Sequence, residues 1–303
     1  MKNYSSFNQD NKIFKGNQTP TAQVKLPPGA YTVMVDQRGE LYFEQFDFKH
    51  DVLIDLPTKE YHLIVDQIET FLKPETKATF EQYGYLYKFS ALLHGKWGTG
   101  KTCIISRVAN FAKTKGAVIL FNPDPRLLPS ALNMLDEVQP DTTVVVVFEE
   151  LDKLIANHEG RLLNLLDGEV QKNNVVYLAT TNFIDKIPAR VIRPGRFGKV
   201  VEVLFPDAKC REHYLTVKLG RDANIAEWVE KTEGFSIDEL KATVLEVKCL
   251  GVALDDVLDR ILKARPAKVI PVDQEDEMSW EMRGAIDHFM DNMRESKLKV
   301  SKG

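Results

Sequence analysis

Hydrophobic residues form short continuous runs through the middle of the chain. Runs at 91–93, 117–121, 143–148, 175–179 and 200–205 alternate with segments in which apolar residues recur every three or four positions. A run of this length, bounded by polar residues, predicts a strand that is buried on both faces, and helices between such strands favour parallel pairing. The pattern therefore predicts an α/β fold with a five-stranded parallel sheet covered by helices, over a domain of residues 59–205.

The pattern differs before this domain. Residues 1–24 are polar with few apolar positions, which predicts a mobile tail. Within 25–58, apolar residues alternate in Tyr31–Val35 and again in 41–43, and a polar turn that contains Gly39 separates the two stretches. Alternation on both sides of a turn predicts a β-hairpin, which we expect to form a small β element ahead of the α/β domain.

After residue 205 the pattern becomes helical. Residues 206–267 are predicted to form a small all-helical domain, with candidate helices at 212–219, 225–231, 237–249 and 254–263. Residues 268–303 combine an acidic segment with an apolar stripe at helical spacing, formed by Met282, Ile286, Phe289, Met290 and Met293. For this amphipathic helix, docking on the chain's own body is favoured over a dedicated partner site.

The composition of the chain favours one cellular setting and one class of partner over others. The chain has 303 residues, a net charge of -4 and three cysteines without metal-ligand spacing, so a reducing, cytoplasmic setting is expected. The longest purely apolar run, Val144–Phe148, is too short to span a bilayer, and the polar N-terminus lacks a signal-peptide core, so no membrane anchor is expected. The acidic balance disfavours nucleic acid as the main partner.

Residues 95–102 read GKWGTGKT and fit the phosphate-loop pattern G-x-x-x-x-G-K-[ST], between a predicted strand and a predicted helix. The glycines allow successive N–H groups to turn toward phosphate oxygens. Lys101 is then expected to neutralise the β- and γ-phosphates, and the Thr102 hydroxyl to ligate Mg²⁺. The predicted nucleotide-binding residues here are Gly95, Lys96, Trp97, Gly98, Thr99, Gly100, Lys101, Thr102 and Cys103.

Two acids follow the apolar strand 144–148. Adjacent residues that leave a strand point to opposite sides, so Glu149 is predicted to support the Mg²⁺ shell while Glu150 orients an attacking water. The alternative interpretation is a solvated acidic turn.

Two further segments carry a family resemblance. The strand that ends in Thr180-Thr181-Asn182 and the segment from Ile192 to Phe197, which reads IRPGRF, resemble the AAA ATPases within the AAA+ superfamily. The resemblance covers about residues 83–205 strongly. More weakly, Gly234-Phe235-Ser236 with Leu240 is similar to the family's lid signature, which adds Gly234 to the nucleotide-binding set. The resemblance implies a P-loop NTPase fold with a helical lid, ATP as the nucleotide, Mg²⁺ and ATP hydrolysis.

The resemblance also implies roles for individual residues. Asn182 would polarise the lytic water or the γ-phosphate, with Lys101 also counted as catalytic. Arg193 and Arg196 look like arginine fingers that reach the γ-phosphate bound to a neighbouring subunit, which would tie hydrolysis to a homo-oligomeric ring, a hexamer by family default. An ordinary surface salt bridge is the alternative for these arginines.

The chain also departs from the family. Glu149 stands where most members carry Asp, which leaves open which of Glu149 and Glu150 does which job. Lys96 and Trp97 replace the usual Pro-Pro, and Trp97 either shields the nucleotide, contacts a neighbour or fills a local gap. Asn122–Leu128 stands in place of the aromatic-Gly pore motif. The segment 102–149 is shorter than in typical substrate-threading members, and the loop 152–162 is also short. Together with LLNLLDG at 162–168, these features look closest to the branch containing the mitochondrial translocase of the Rieske iron–sulfur protein, which has a membrane anchor.

Three functions are compatible with this pattern. The leading hypothesis is a ring-forming Mg²⁺-dependent ATPase that remodels or moves a protein partner. The alternative is an assembly or scaffold ring that ATP stabilises and that hydrolyses slowly, which the missing pore motif favours over threading. A motor or loader on DNA is the third hypothesis, and the acidic charge disfavours it.

Overall fold

The computed structural model describes residues 25–36, 39–46, 54, 56–167, 173–220 and 223–265. The predicted tail (1–24) and the predicted C-terminal amphipathic helix (268–303) lie outside the described residues. The chain divides into two compact units, one ending at Val252 and the other beginning at Ala253. In the described part of the chain, no helix has the length and apolar character needed to cross a membrane.

The first unit is built on one sheet of seven strands in the order β2-β1-β4-β5-β6-β3-β7. The five strands that correspond to the predicted apolar runs, β4, β5, β6, β3 and β7, all pair in parallel with one another. The strands are β1 Gly29–Val35, β2 Leu41–Phe46, β3 Lys88–His94, β4 Val118–Phe121, β5 Val144–Phe148, β6 Val175–Thr181 and β7 Lys199–Glu202.

The predicted strand number of five was wrong, because the N-terminal hairpin extends the sheet. β1 pairs in parallel with β4, with Gly29 opposite Val118, and β2 pairs antiparallel with β1. Tyr31 and Val33 of β1 are buried in the same core as the strands, which gives the hairpin an apolar reason to attach. The hairpin also covers the backbone edge that β4 would otherwise expose.

Helices cover both faces of the sheet. They are α1 Lys59–Phe71, α2 Pro74–Gln82, α3 Lys101–Thr114, α4 Leu128–Val138 and α5 Leu151–Asp167. A short 3-10 helix Ile184–Lys186 follows β6, and α6 Ala208–Leu219, α7 Ile225–Lys231 and α8 Ile237–Cys249 follow β7, with α6 packed against α7 and α8. In the second unit, α9 spans Leu254–Ala264. The predicted helix through residues 59–83 is divided in two, with Pro74 at the first position of α2. α6 begins four residues earlier than predicted because the Asp207 carboxylate caps it by accepting the Cys210 N–H at 2.8 Å.

The sheet separates two apolar cores. One contains α4 and α5 residues such as Leu132 and Leu162, and the other contains α1 and α3 residues such as Ile64 and Val108. Parallel pairing brings the carboxyl ends of β3, β5 and β6 to one edge of the sheet. The phosphate loop, the two acids and Asn182 therefore lie at the same edge, where α/β sheets bind ligands.

Candidate nucleotide-binding site

The phosphate loop joins β3 to α3 and takes conformations that require glycine. Gly98 has φ +75°, in the left-handed region, and a Cβ there would lie 2.8 Å from Ser236 Oγ. A Cβ on Gly95 would collide with the backbone carbonyl of Val203. Side chains at these positions would therefore collide with neighbouring segments, so the loop, called the cradle below, keeps a glycine-dependent backbone that leaves its N–H groups free of side-chain cover, as a phosphate-binding loop requires.

Lys101 begins α3 and is held under the loop. Its side chain is only 7% exposed, and its Nζ donates to the carbonyl oxygens of Gly95 at 2.8 Å and Lys96 at 2.6 Å. Burial lowers the pKa of Lys101, and the negative charge of Asp238 acts in the opposite direction. The ammonium group thus stays at the centre of the cradle, where it can exchange its two carbonyl partners for phosphate oxygens.

Glu149 and Glu150 follow β5 and have different surroundings. The Glu149 N–H donates to Asn122 Oδ1 at 2.7 Å, and its Oε1 is buried with no hydrogen-bond partner within the described residues. Glu150 has φ +51°, is exposed, and accepts from Lys153 Nζ at 2.6 Å. An unpartnered buried carboxylate oxygen is costly unless a donor or cation reaches it, so Glu149 is suited to a metal shell.

The protein side chains at this site can supply only some of the ligands of a Mg²⁺ ion, and phosphate and water would have to supply the rest. Across the described ranges, no group of three or more His, Cys, Asp or Glu side chains could hold a metal ion by itself. Mg²⁺ usually keeps one or two protein ligands and takes the rest from phosphate and water. The exposed Thr102 hydroxyl and the orphaned Glu149 oxygen match that requirement.

The end of β6 is bonded to the acidic turn. The Glu150 N–H donates to Thr180 Oγ1 at 3.3 Å, and the buried Thr181 donates through its hydroxyl to Asp152 Oδ1 at 2.6 Å. Asn182 follows directly and is half-buried at the same edge of the sheet. These bonds fix the position of the Asn182 backbone relative to Glu150.

A cavity of about 300 Å³ opens beside the two acids. It lies between the loop after β4, which begins at Asn122, and helix α5, which loses helical geometry at His158 with φ −139° and ψ 24°. Glu149, Glu150 and Lys153 line it. The exposed Glu150 carboxylate can therefore be reached by solvent from this cavity, whereas one oxygen of Glu149 stays buried at its wall.

The two candidate finger arginines differ sharply in exposure. The Arg193 side chain is 56% exposed and its Nη2 lies 3.6 Å from Asp167. The Arg196 side chain is 7% exposed; its Nε donates to Asp167 Oδ1 at 2.6 Å and its Nη1 donates to the Arg190 carbonyl. Hydrogen bonding from Arg196 lowers the pKa of Asp167. This geometry leaves Arg193 available to a second molecule and engages Arg196 inside its own chain.

Trp97 lies on the surface of the loop. It is 64% exposed and contacts Phe183 edge to face, with ring centroids 5.0 Å apart and planes at 84°. Because Phe183 follows Asn182, this contact joins the phosphate loop to the end of β6. An exposed indole fills little of a core, so the structure favours a surface role over gap filling.

The start of α8 contacts the loop from the helical side. Ser236 caps α8 in a capping box with Glu239, and the Ile237 N–H donates to the Gly98 carbonyl at 2.9 Å. Gly234, with φ +70°, forms the turn two residues before this cap. Sequence reasoning placed Gly234 near the nucleotide but missed Asp238 and Lys153, whose relevance depends on tertiary proximity rather than on a motif.

Known proteins resemble this chain over the part of the sequence that contains the phosphate loop, the two acids and Asn182. Residues 91–204 match the sequence model of a family described as "ATPase family associated with various cellular activities (AAA)". The chain is 25% identical to a cell division cycle protein 48 homolog from Archaeoglobus fulgidus over 78% of its own length and 38% of the relative's. It is 25% identical to a proteasome-activating nucleotidase from Aeropyrum pernix, over 83% of this chain and 68% of that one.

A plant relative shows the same partial coverage. The chain is 28% identical to a 26S proteasome regulatory subunit 4 homolog from Oryza sativa subsp. japonica over 57% of this chain and 44% of the relative. The chain therefore spans less than half of two of these three relatives and about two thirds of the third.

Proposed function

We propose that this chain assembles into a homo-oligomeric ring and uses ATP hydrolysis to remodel or move a protein partner. The proposal takes as its premise that residues 91–204 form an AAA ATPase domain and that the chain is an ATP hydrolase. Support comes from the convergence of the glycine cradle, buried Lys101, the acidic pair and Asn182 at one edge of the sheet. The names of two relatives refer to the proteasome, which supports a protein partner.

Each residue at this edge has a proposed task. Backbone N–H groups of the loop bind phosphate oxygens, and Lys101 neutralises charge that develops between the β- and γ-phosphates. Thr102 and Glu149 would hold Mg²⁺, which would supply further charge neutralisation when bound. Glu150 orients the attacking water and takes up its proton, and Asn182 holds the water or the γ-phosphate in line.

The different surroundings of the acids support this division of roles. Glu149 has a buried, unpartnered carboxylate oxygen, while Glu150 is exposed beside the cavity. A water-orienting carboxylate must reach solvent before the reaction, and a metal-side carboxylate need not.

Arg193 is proposed to act on the nucleotide of a neighbouring subunit. Its exposed guanidinium supports this, and the buried Arg196–Asp167 contact would hold the segment that carries it. A ring, six-membered by family default, follows because a finger of this kind must come from a second copy. The likeness to the Rieske-protein translocase branch and the cytoplasmic setting stay predictions.

A slowly hydrolysing scaffold ring is the second candidate function. The Lys153–Glu150 ion pair, 2.6 Å long, supports it, because a carboxylate held by an ammonium group is a poorer acceptor for a proton from water. Both side chains are well exposed, so the pair is weak and solvent can open it.

Turnover measured against protein concentration tests the ring proposal. Because the finger comes from a second copy, we expect ATPase activity per subunit to rise steeply with concentration and to level off once mass photometry detects a ring. Glu150→Gln should still assemble with ATP but lose turnover. Constant activity per subunit across a concentration range in which the chain is monomeric would contradict the proposal.

A further inference from the structure

The first turn of α8 is seated directly on the phosphate loop. The Ile237 N–H donates to the Gly98 carbonyl at 2.9 Å. A Cβ on Gly98 would lie 2.8 Å from Ser236 Oγ and 3.1 Å from Asp238 Oδ2. The loop and the helix therefore meet without room for another atom, and a carboxylate lies at their contact.

The charge of that carboxylate reaches the cradle. The pKa of Lys101 is lowered by burial and raised by Asp238. Lys101 Nζ donates to the loop carbonyls of Gly95 and Lys96, so Asp238 attracts the ammonium group from across the loop without displacing those bonds. This attraction favours the seated position of α8 as long as the positive charge of Lys101 is not otherwise neutralised.

We propose that Asp238 is a positioning residue that makes the seating of α8 on the phosphate loop depend on the number of phosphates in the cradle. The inference rests on the proposed function. Phosphate oxygens that engage Lys101 remove the attraction that Asp238 feels and replace it with repulsion. The contact between α8 and Gly98 then weakens more with a triphosphate than with a diphosphate, because the triphosphate carries the greater negative charge.

Movement of α8 away from the cradle would also affect the helices that pack against α8. α6 packs against both α7 and α8, so a displaced α8 carries neighbouring helices with it. Loss of the terminal phosphate lets Asp238 return toward Lys101 and reseats α8. By thermodynamic linkage, a carboxylate that a triphosphate displaces must also weaken binding of that triphosphate.

The nucleotide affinity of the Asp238→Asn variant tests this coupling between Asp238 and the bound phosphates, and it does so without depending on turnover. Isothermal titration with Mg²⁺ and the β,γ-imido analogue of ATP should give binding that is several-fold tighter than in wild type, and titration with Mg²⁺ and ADP should give a smaller gain, because the triphosphate carries the greater negative charge. In about 1 M salt both gains should shrink toward one, because such charges are then screened.

Two variants control for charge and fold. Glu230→Gln removes one negative charge from an exposed position on α7 and should leave both affinities at the wild-type value. Asp238→Glu keeps the charge and should keep the wild-type ratio of triphosphate to diphosphate affinity. The thermal midpoint of Asp238→Asn should stay within a few degrees of wild type, which separates a charge effect from misfolding.

The outcomes separate this inference from the proposed function. If Asp238→Asn binds the triphosphate analogue no more tightly than wild type, or gains equally for both nucleotides, the inference is overturned while the ATPase assignment stands. If wild type binds neither nucleotide, like Lys101→Ala, the proposed function fails and takes the inference with it.

Discussion

Glu149 and Glu150 are adjacent in sequence, yet they have opposite environments. The backbone reverses to φ +51° at Glu150, which directs its side chain to Lys153 and the open cavity, while one Glu149 oxygen is left buried. The positive φ is uncommon for a residue with a side chain and is stabilised here by the Glu150 N–H bond to Thr180. Environment, rather than residue type, therefore distinguishes the two carboxylates.

Substitution of each acid should produce a different defect. Glu150→Gln removes the proton acceptor and should lower turnover by about 10²- to 10⁴-fold with little change in nucleotide affinity. Glu149→Gln should instead raise the Mg²⁺ concentration needed for half-maximal activity. Steady-state ATPase assays with Mg²⁺ titration distinguish them, with Glu137→Gln, an exposed position on α4 outside the motif, as a control. Identical Mg²⁺ dependence in both variants would contradict the division of roles.

Residue types at the site were predictable, but several partners were not. The phosphate loop and the acidic pair follow from spacing, because the chemistry needs those residues in consecutive order. Asp238 and Lys153 belong to no motif. Asp238 reaches the loop only because the Ile237 N–H bonds to Gly98, which is 139 positions earlier in the chain. Contacts of this kind depend on tertiary packing, which periodicity does not encode.

At the scale of elements, the sequence pattern predicts which segments form strands, but it does not predict which distant strands pair with each other. Continuous apolar runs predicted five of the strands, most clearly β4, β5 and β6, which are buried on both faces. The hairpin alternates apolar and polar residues, which indicates one buried face but does not identify the partner. Pairing of β1 with β4, some ninety residues away, supplied the two additional strands.

Phe43 tests whether the hairpin shares the stability of the sheet. It is 3% exposed and lies in the core formed by β4 and β5. Phe43→Ala should lower the free energy of global unfolding by about 3 kcal/mol, the usual cost of such a cavity. Glu44→Ala, which alters the opposite face of the same strand, should change it by less than about 0.5 kcal/mol. Urea unfolding followed by tryptophan fluorescence would measure both.

A different result would separate the hairpin from the sheet. If Phe43→Ala produced a second, early transition while the main unfolding midpoint stayed at its wild-type value, the hairpin would be an independent element.

At the scale of the whole molecule, we propose that the site is completed by a second copy of the chain. The cradle, Lys101 and the two acids lie together at the carboxyl edge of the sheet, whereas the exposed Arg193 is tethered to Asp167 at the end of α5. Under this proposal, hydrolysis would depend on assembly, and the nucleotide state of one subunit would affect the next. The central claim is therefore that Arg193 acts across an interface between copies.

Mixing two inactive variants tests this claim most directly. Glu150→Gln subunits keep Arg193 but cannot activate water, and Arg193→Ala subunits keep Glu150 but lack the finger. Each alone should be inactive, and mixing them should restore ATPase activity, because an Arg193→Ala site can then receive Arg193 from a Glu150→Gln neighbour. Recovery near one quarter of wild type at equal amounts, as random pairing gives, is the expected result. Mixed rings that form without any recovered turnover would contradict the account.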